Sequence, residues 1–360
     1  MINAGAVRVL CVYGASPTTV FFTSGPAAGH AVLVGGVTAL ERRVREFAKR
    51  GCTHAVVATA PISFPRPLPI PVEFVVADTV APADALLERA DILAGIEIVD
   101  DATRRAAEWK LIRGTNKSFE GPVDALINWR FSMRITRFLS HRSLAVTPNH
   151  VTTCAILLGL FAAYVAAFGS TWMVRHGYSV GIAKYLPFAL AGVMLEINSI
   201  LDSVDGELAR LRFQYSKLGQ WMDNLSDDIV DNVFIIATGY GLSRWGSMWW
   251  LYAGYIAAGT RVVVSLITYF DVYRRTGTGD VFAFRWWFES DKQTADDVYD
   301  PTSPITWIRS FGRRDTFVFV WMVVGVASLP QWVIGHGMII AAVQVGLLLG
   351  HFTIGRRSRA

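Results

Sequence analysis

Four carboxylates, Asp202, Asp205, Asp223 and Asp227, stand in the run Leu201-Asp-Ser-Val-Asp-Gly-Glu-Leu-Ala-Arg210 and its continuation Gly219-Gln-Trp-Met-Asp-Asn-Leu-Ser-Asp227. On a helix, Asp202, Asp205, Gly206, Ala209 and Arg210 share one face, and Gly219, Asp223 and Asp227 recur every fourth residue on another. Two antiparallel helices would point both acidic pairs into one cleft. Carboxylates held that close repel one another unless cations neutralise them. An oxygen-only ligand set selects hard ions, Mg²⁺ or Mn²⁺, over zinc, and two such ions suit an in-line displacement at phosphorus. The small residues Gly206, Ala209 and Gly219 leave room for a flat base or a pyrophosphate against the backbone.

The elements that must carry these residues lie in an apolar chain. Of 360 residues, 52% are hydrophobic and 18% charged, and the mean hydropathy is +0.36, which points to a membrane protein. Six apolar segments follow one another: Val151 to Phe168, Ile182 to Leu201, Ile229 to Leu242, Met248 to Phe270, Phe317 to Leu329 and Val333 to Phe352, the third and fifth being short. The connection between the fourth and fifth carries Arg274, Arg275, Arg285, Lys292, Arg309, Arg313 and Arg314, and the C-terminus carries Arg356, Arg357 and Arg359. Positive charge collects on the cytoplasmic side, so both termini and the turn between the two acidic runs are expected there, in the inner membrane. The net charge of +5 is accounted for by these loops, and nucleic acid is not an expected partner. The tryptophans, Trp249-Trp250 and Trp286-Trp287 among them, read as interfacial anchors.

Residues 1–100 read instead as a small soluble α/β domain with a mainly parallel sheet. Strands are expected at Ala6 to Val12, Ala55 to Ala58, Val72 to Val76 and Ile96 to Val99, and helices at Thr38 to Arg50 and Ala83 to Leu93, with a proline-rich loop from Pro61 to Pro71. No basic segment with an apolar core opens the chain, so this domain is expected in the cytoplasm. Cys11, Cys52 and Cys154 have no metal-ligand or disulfide spacing and read as packing residues. Residues 101–145 are basic, with Arg104, Arg105, Lys110, Arg113, Arg130, Arg134 and Arg137, and either lie along anionic lipid headgroups or face water. Residues 146–360 hold the six expected spans.

The full spacing, Asp-x2-Asp-Gly-x2-Ala-Arg-x8-Gly-x3-Asp-x3-Asp, resembles the signature of the CDP-alcohol phosphotransferase family, integral membrane enzymes with six transmembrane helices. The resemblance implies metal ligation by Asp202, Asp205, Asp223 and Asp227, and CDP contacts by Gly206, Ala209, Arg210 and Gly219. In it Asp227 also takes the proton of the incoming hydroxyl. It further implies two ions, Mg²⁺ or Mn²⁺, a CDP-alcohol donor (CDP-diacylglycerol or CDP-inositol), an acceptor alcohol and a homodimer. Asn116-Lys117, Asn128-Trp129-Arg130, Thr147-Pro148-Asn149-His150-Val151-Thr152 and Gly312-Arg313-Arg314-Asp315 resemble the subgroup that makes di-myo-inositol phosphates. The stretch Val34-Gly35-Gly36 to Val56-Val57 resembles sugar-nucleotide cytidylyltransferases, but their catalytic loop is absent and the domain reads as non-catalytic.

Asn149 is a candidate helix cap, and Thr152 could reach a substrate phosphate. Arg261 stands inside the fourth span, where an unpaired cation is costly; it should meet Asp231, another carboxylate or an acceptor phosphate. Arg313 and Arg314 could clamp that phosphate or serve as positive-inside anchors. Glu207, Asp228 and Asp231 read as rim charges or as partners behind the ligands. Two other classes remain to be weighed: a cation-coupled transporter, against which the acids lie at helix ends without an inverted repeat, and an inactive membrane scaffold, against which every signature residue is present.

Overall fold

A computed structural model of the chain describes residues 19–23, 31–59, 61–64, 66–76, 79, 81, 85–115, 122–141, 146–215, 217–276 and 312–357. It divides into two units, Met1–Leu111 and Ile112–Ala360. The first contains β1 (Thr19–Thr23), β2 (Leu33–Val34), β3 (Val37–Thr38), α1 (Ala39–Lys49), β4 (His54–Ala58), β5 (Val72–Val75), β6 (Leu86–Arg89), β7 (Ile92–Leu93), β8 (Ile96–Glu97) and most of α2 (Asp101–Arg113). Four strands form one parallel sheet in the order β5-β4-β1-β6. α1 begins where Thr38 accepts the backbone N–H of Glu41, and its Leu40, Val44 and Phe47 pack with Val20, Phe22 and Val57 in a small core. At the head of α2 the Asp100 carboxylate accepts the Thr103 N–H at 2.8 Å, a bond that holds its carboxyl below the usual range.

Two expectations need correction here. Ala83 to Leu93 is not helical in its described residues: Leu86–Arg89 pairs with β1, and Ile92–Leu93 forms a hairpin with Ile96–Glu97. The leucines there fit either periodicity, and the vacant edge of β1 decides for strand. The second concerns cysteine. Cys52 is buried in the core, as expected, whereas Cys154 is exposed on the helix that carries it. Cys154 shares an outward stripe with Leu157 and Phe161. The expected first strand and Cys11 lie outside the described residues.

The second unit is helical. A π-helical turn (Asp124–Asn128) leads into α3 (Trp129–His141), followed by α4 (Pro148–Arg175), α5 (Val180–Leu211), α6 (Lys217–Ser243), α7 (Trp249–Thr276), α8 (Arg314–Val326) and α9 (Gln331–Arg357). Four of the expected apolar segments fall inside α4, α5, α6 and α9, whereas the fourth begins one residue before α7, at Met248, and the fifth runs on to Leu329, past the end of α8 at Val326. Among the described residues, α4, α5, α7 and α9 are long and apolar enough to cross a membrane. α6 spends its first half on charged and polar residues and α8 has only 13 residues, so the finer count of six is not reached on length and hydropathy alone. Thr147, not Asn149, caps α4: its hydroxyl accepts the His150 N–H while His150 Nδ1 accepts the Thr147 N–H. Pro148 fills the first helical position, where a missing N–H costs nothing, and displaces Asn149 into the helix.

Small residues let these helices approach closely, as packing within a bilayer requires. Ala162, Ala163, Ala166 and Ala167 of α4 enter a core with Leu195, Phe234, Trp321 and Ile334. α5 and α8 meet through two glycines: a Cβ on Gly192 would stand 2.9 Å from Met322 Cα, and one on Gly325 2.8 Å from the Phe188 carbonyl. The outward faces carry Leu157, Phe161, Tyr164, Leu190, Tyr252, Leu266, Val343 and Leu349, all exposed. So much exposed apolar surface suits hydrocarbon and not water. The chain is an integral membrane protein with a small α/β unit at its N-terminal end.

Candidate active site

α4 packs against both α5 and α6, and this brings the acidic turn near the end of α5 opposite the acidic turn near the start of α6. Oxygens of Asp202, Asp205 and Asp223 lie within 4.8 Å of one another. A trio of carboxylates from two helices, with no nitrogen or sulfur donor among them, fits a hard divalent cation. Thr152 of α4 donates its hydroxyl to Asp205 Oδ2. Thr152 thus touches a carboxylate of the trio.

Asp227 lies one turn further along α6 than Asp223, outside the three carboxylates that meet within 4.8 Å. Its Oδ1 lies 2.9 Å from Nη1 of Arg314, the first residue of α8. The same nitrogen reaches Asp202 Oδ2 at 3.3 Å. Arg314 Nε reaches Asp231 at 3.3 Å and Nη2 donates to Asn198 Oδ1 at 2.7 Å. Asn198 in turn donates to the Ala155 carbonyl at 2.7 Å, so α4, α5, α6 and α8 are joined by one polar chain.

The remaining signature residues fall as follows. Gly206, Ala209, Arg210 and Gly219 are half-buried near the trio in sequence. The Arg210 guanidinium folds back over Gly206, its Nη1 3.1 Å from where a Cβ would stand. The glycine therefore makes room for an arginine one turn along, as well as for any ligand. Of the acceptor-phosphate candidates, Arg261 is buried 3.7 Å from Asp231 with its guanidinium over the Phe317 ring, and Arg313 pairs with Asp315 at 3.4 Å.

Glu207 and Asp228, open between rim charge and supporting partner in the sequence, both accept hydrogen bonds, and Glu196 is a buried acid that spacing did not reveal. Glu207 is buried and accepts from Ser132 at 2.5 Å and Thr136 at 2.6 Å, both on α3. Asp228 accepts from the Tyr269 hydroxyl at 2.7 Å. Glu196 is buried, and neither carboxylate oxygen has a hydrogen-bond partner among the described residues. Glu196 and Asn198 carried a usable signal, since polar residues within an apolar span are seldom idle.

A sequence model of CDP-alcohol phosphatidyltransferase matches residues 145–350, more than half of the chain. The bifunctional IPC transferase and DIPP synthase of Aquifex aeolicus (strain VF5) is 34% identical over 135 residues, 37% of this chain and 27% of that protein. Its counterpart from Thermococcus kodakarensis (strain ATCC BAA-918 / JCM 12380 / KOD1) is 31% identical over 137 residues, 38% of this chain and 26% of the relative. The archaetidylinositol phosphate synthase of Pyrococcus horikoshii (strain ATCC 700860 / DSM 12428 / JCM 9974 / NBRC 100139 / OT-3) is 33% identical over 105 residues, 29% of this chain and 46% of the relative. The chain thus spans less than half the length of each of these relatives. The matched region contains both acidic turns, Thr152 and Arg314, and the chain belongs to the CDP-alcohol phosphatidyltransferase family.

Proposed function

We propose that this protein transfers a substituted phosphate from a CDP-alcohol to an acceptor alcohol and releases CMP. The observation that carries this reading is the convergence of Asp202, Asp205 and Asp223 within the region matched by the family. The acceptor hydroxyl gives its proton to Asp227, its oxygen bonds to phosphorus, and the bond from phosphorus to the CMP oxygen breaks. Divalent ions, Mg²⁺ or Mn²⁺, held by Asp202, Asp205 and Asp223 with Asp227 as the fourth ligand, would supply electrostatic stabilisation of the phosphate charge. Gly206, Ala209, Arg210 and Gly219 border the CDP site in this reading, with Thr152 orienting Asp205. Arg261, Arg313 and Arg314 are the candidate cations for a phosphate on the acceptor, and Arg313 is the most exposed of the three.

The names of the relatives favour inositol chemistry: one is a synthase of an archaetidylinositol phosphate. CDP-inositol and CDP-diacylglycerol are both candidate donors on the same residues. The proposed setting is a homodimer in the inner membrane, with six spans and both termini in the cytoplasm, where nucleotide-linked donors are available. The distribution of arginine supports that orientation.

The test is CMP release by the purified full chain in detergent with Mg²⁺ or Mn²⁺, offering each donor against inositol, inositol phosphate and glycerol phosphate. Release from one donor, lost on chelation and lost in Asp223→Asn, is the expected result. Failure to release CMP from either donor with any metal present would overturn the reading.

A further inference from the structure

Asp227 is the fourth ligand in the proposed reaction, yet a guanidinium holds it. Arg314 divides its nitrogens between two kinds of partner. Nε and Nη2 are fastened to Asp231 and Asn198, whereas Nη1 alone reaches the ligand carboxylates, at 2.9 Å from Asp227 and 3.3 Å from Asp202. A divalent ion bound to Asp227 Oδ1 at about 2.1 Å would lie no more than about 5 Å from that nitrogen. Two cations so near each other in a poorly solvated site repel strongly. The trio Asp202, Asp205 and Asp223 already forms a ligand group without Asp227.

We infer that Arg314 is an internal counter-ion that occupies Asp227 until a second metal ion displaces it, so that the site loads its ions in order. The inference rests on the transferase reading above. The first ion binds the trio while Arg314 stays in place. The second needs Nη1 to leave Asp227 and Asp202, and because the guanidinium is a rigid planar fork the whole group must swing, loosening its bonds to Asp231 and Asn198 as it goes. Arg261, 3.7 Å from Asp231, sets the charge of the anchoring side.

The test counts bound Mn²⁺ without any nucleotide, from the loss of the free-ion electron paramagnetic resonance signal as the purified full chain is titrated in detergent. The wild-type protein is expected to bind one ion at least about tenfold more tightly than the second, and Arg314→Gln to bring the second within about threefold of the first. Two ions of equal affinity in the wild type would overturn the inference, even if the variant fails to fold. So would a folded Arg314→Gln protein with an unchanged second site. A wild-type protein that binds no Mn²⁺ and releases no CMP would remove the transferase reading as well, whereas one that is active with two equal sites removes only the ordered exchange.

Discussion

Ser132 on α3 donates a 2.5 Å hydrogen bond to the buried carboxylate of Glu207 on α5, and Thr136, one turn on, fills the second oxygen at 2.6 Å. Glu207 follows directly on Asp205 and Gly206, so this pair ties a helix outside the apolar segments to the turn that bears the metal ligands. On α3, Ser132, Thr136 and Ser140 are buried alongside Met133, while Phe131, Arg134 and Phe138 are exposed. Glu207→Ala leaves two buried hydroxyls without their acceptor and should cost about 3 kcal/mol, read as a lower melting temperature in detergent. Thr136→Val combined with Glu207→Ala should cost less than the sum of the two single changes.

Thr152→Val removes the hydroxyl that orients Asp205 while keeping the volume. Partners of this kind typically set metal affinity by tenfold or more, so Mn²⁺ affinity at the first site should fall about tenfold with little change in melting temperature. An unchanged affinity would remove Thr152 from the site.

Arg261 and Asp231 are both buried and lie 3.7 Å apart. Arg261→Met strands part of the charge on Asp231 and should destabilise the protein by about 3 kcal/mol, with a smaller loss in the Arg261→Met, Asp231→Asn double variant. Melting curves of the three proteins decide. A raised KM for a phosphorylated acceptor with unaltered melting would instead place Arg261 on the substrate.

Gly192 admits no Cβ without moving the α8 backbone at Met322. Gly192→Leu should push α8 outward, cost about 2 kcal/mol or more through overpacking, and reduce activity because Arg314 rides on that helix. The paired measurement is melting temperature and CMP release. A stable variant with full activity would show that α8 is not fixed by this contact.

How much of this was legible before the fold was known depends on range. Asp202, Asp205 and Asp223 were readable because their types and spacing belong to two helices adjacent in the chain, and the helical period alone sets their faces. The helix expected at Ala83 to Leu93 was misread for a related reason: its leucines satisfy the helical period, and only a distant partner, β1, shows that Leu86–Arg89 is a strand. Arg314, Asn198 and the hydroxyls on Glu207 were out of reach as a network. Their meetings depend on which helix packs on which, and no local pattern of a helix states its neighbour. Arg314 reaches Asp227 from a helix that meets α5 at Gly192 and Gly325, contacts which the α5 and α8 sequences display only as two more small residues in apolar runs.

α8 has 13 residues and rises only about 20 Å, against a hydrocarbon core of about 30 Å. α5 continues roughly two and a half turns past Asp202 before it ends at Leu211. In the proposed six-span arrangement, the lipid beside α8 would meet a wall shorter than itself. Hydrophobic mismatch of this kind is relieved by local thinning of the bilayer or by sinking the charged start of the helix, and both bring lipid headgroups toward the level of Arg313 and Arg314. Acyl-chain length thus becomes a variable of the reaction: the protein should turn over fastest in vesicles of short-chain lipid, where the bilayer is already as thin as its shortest helix.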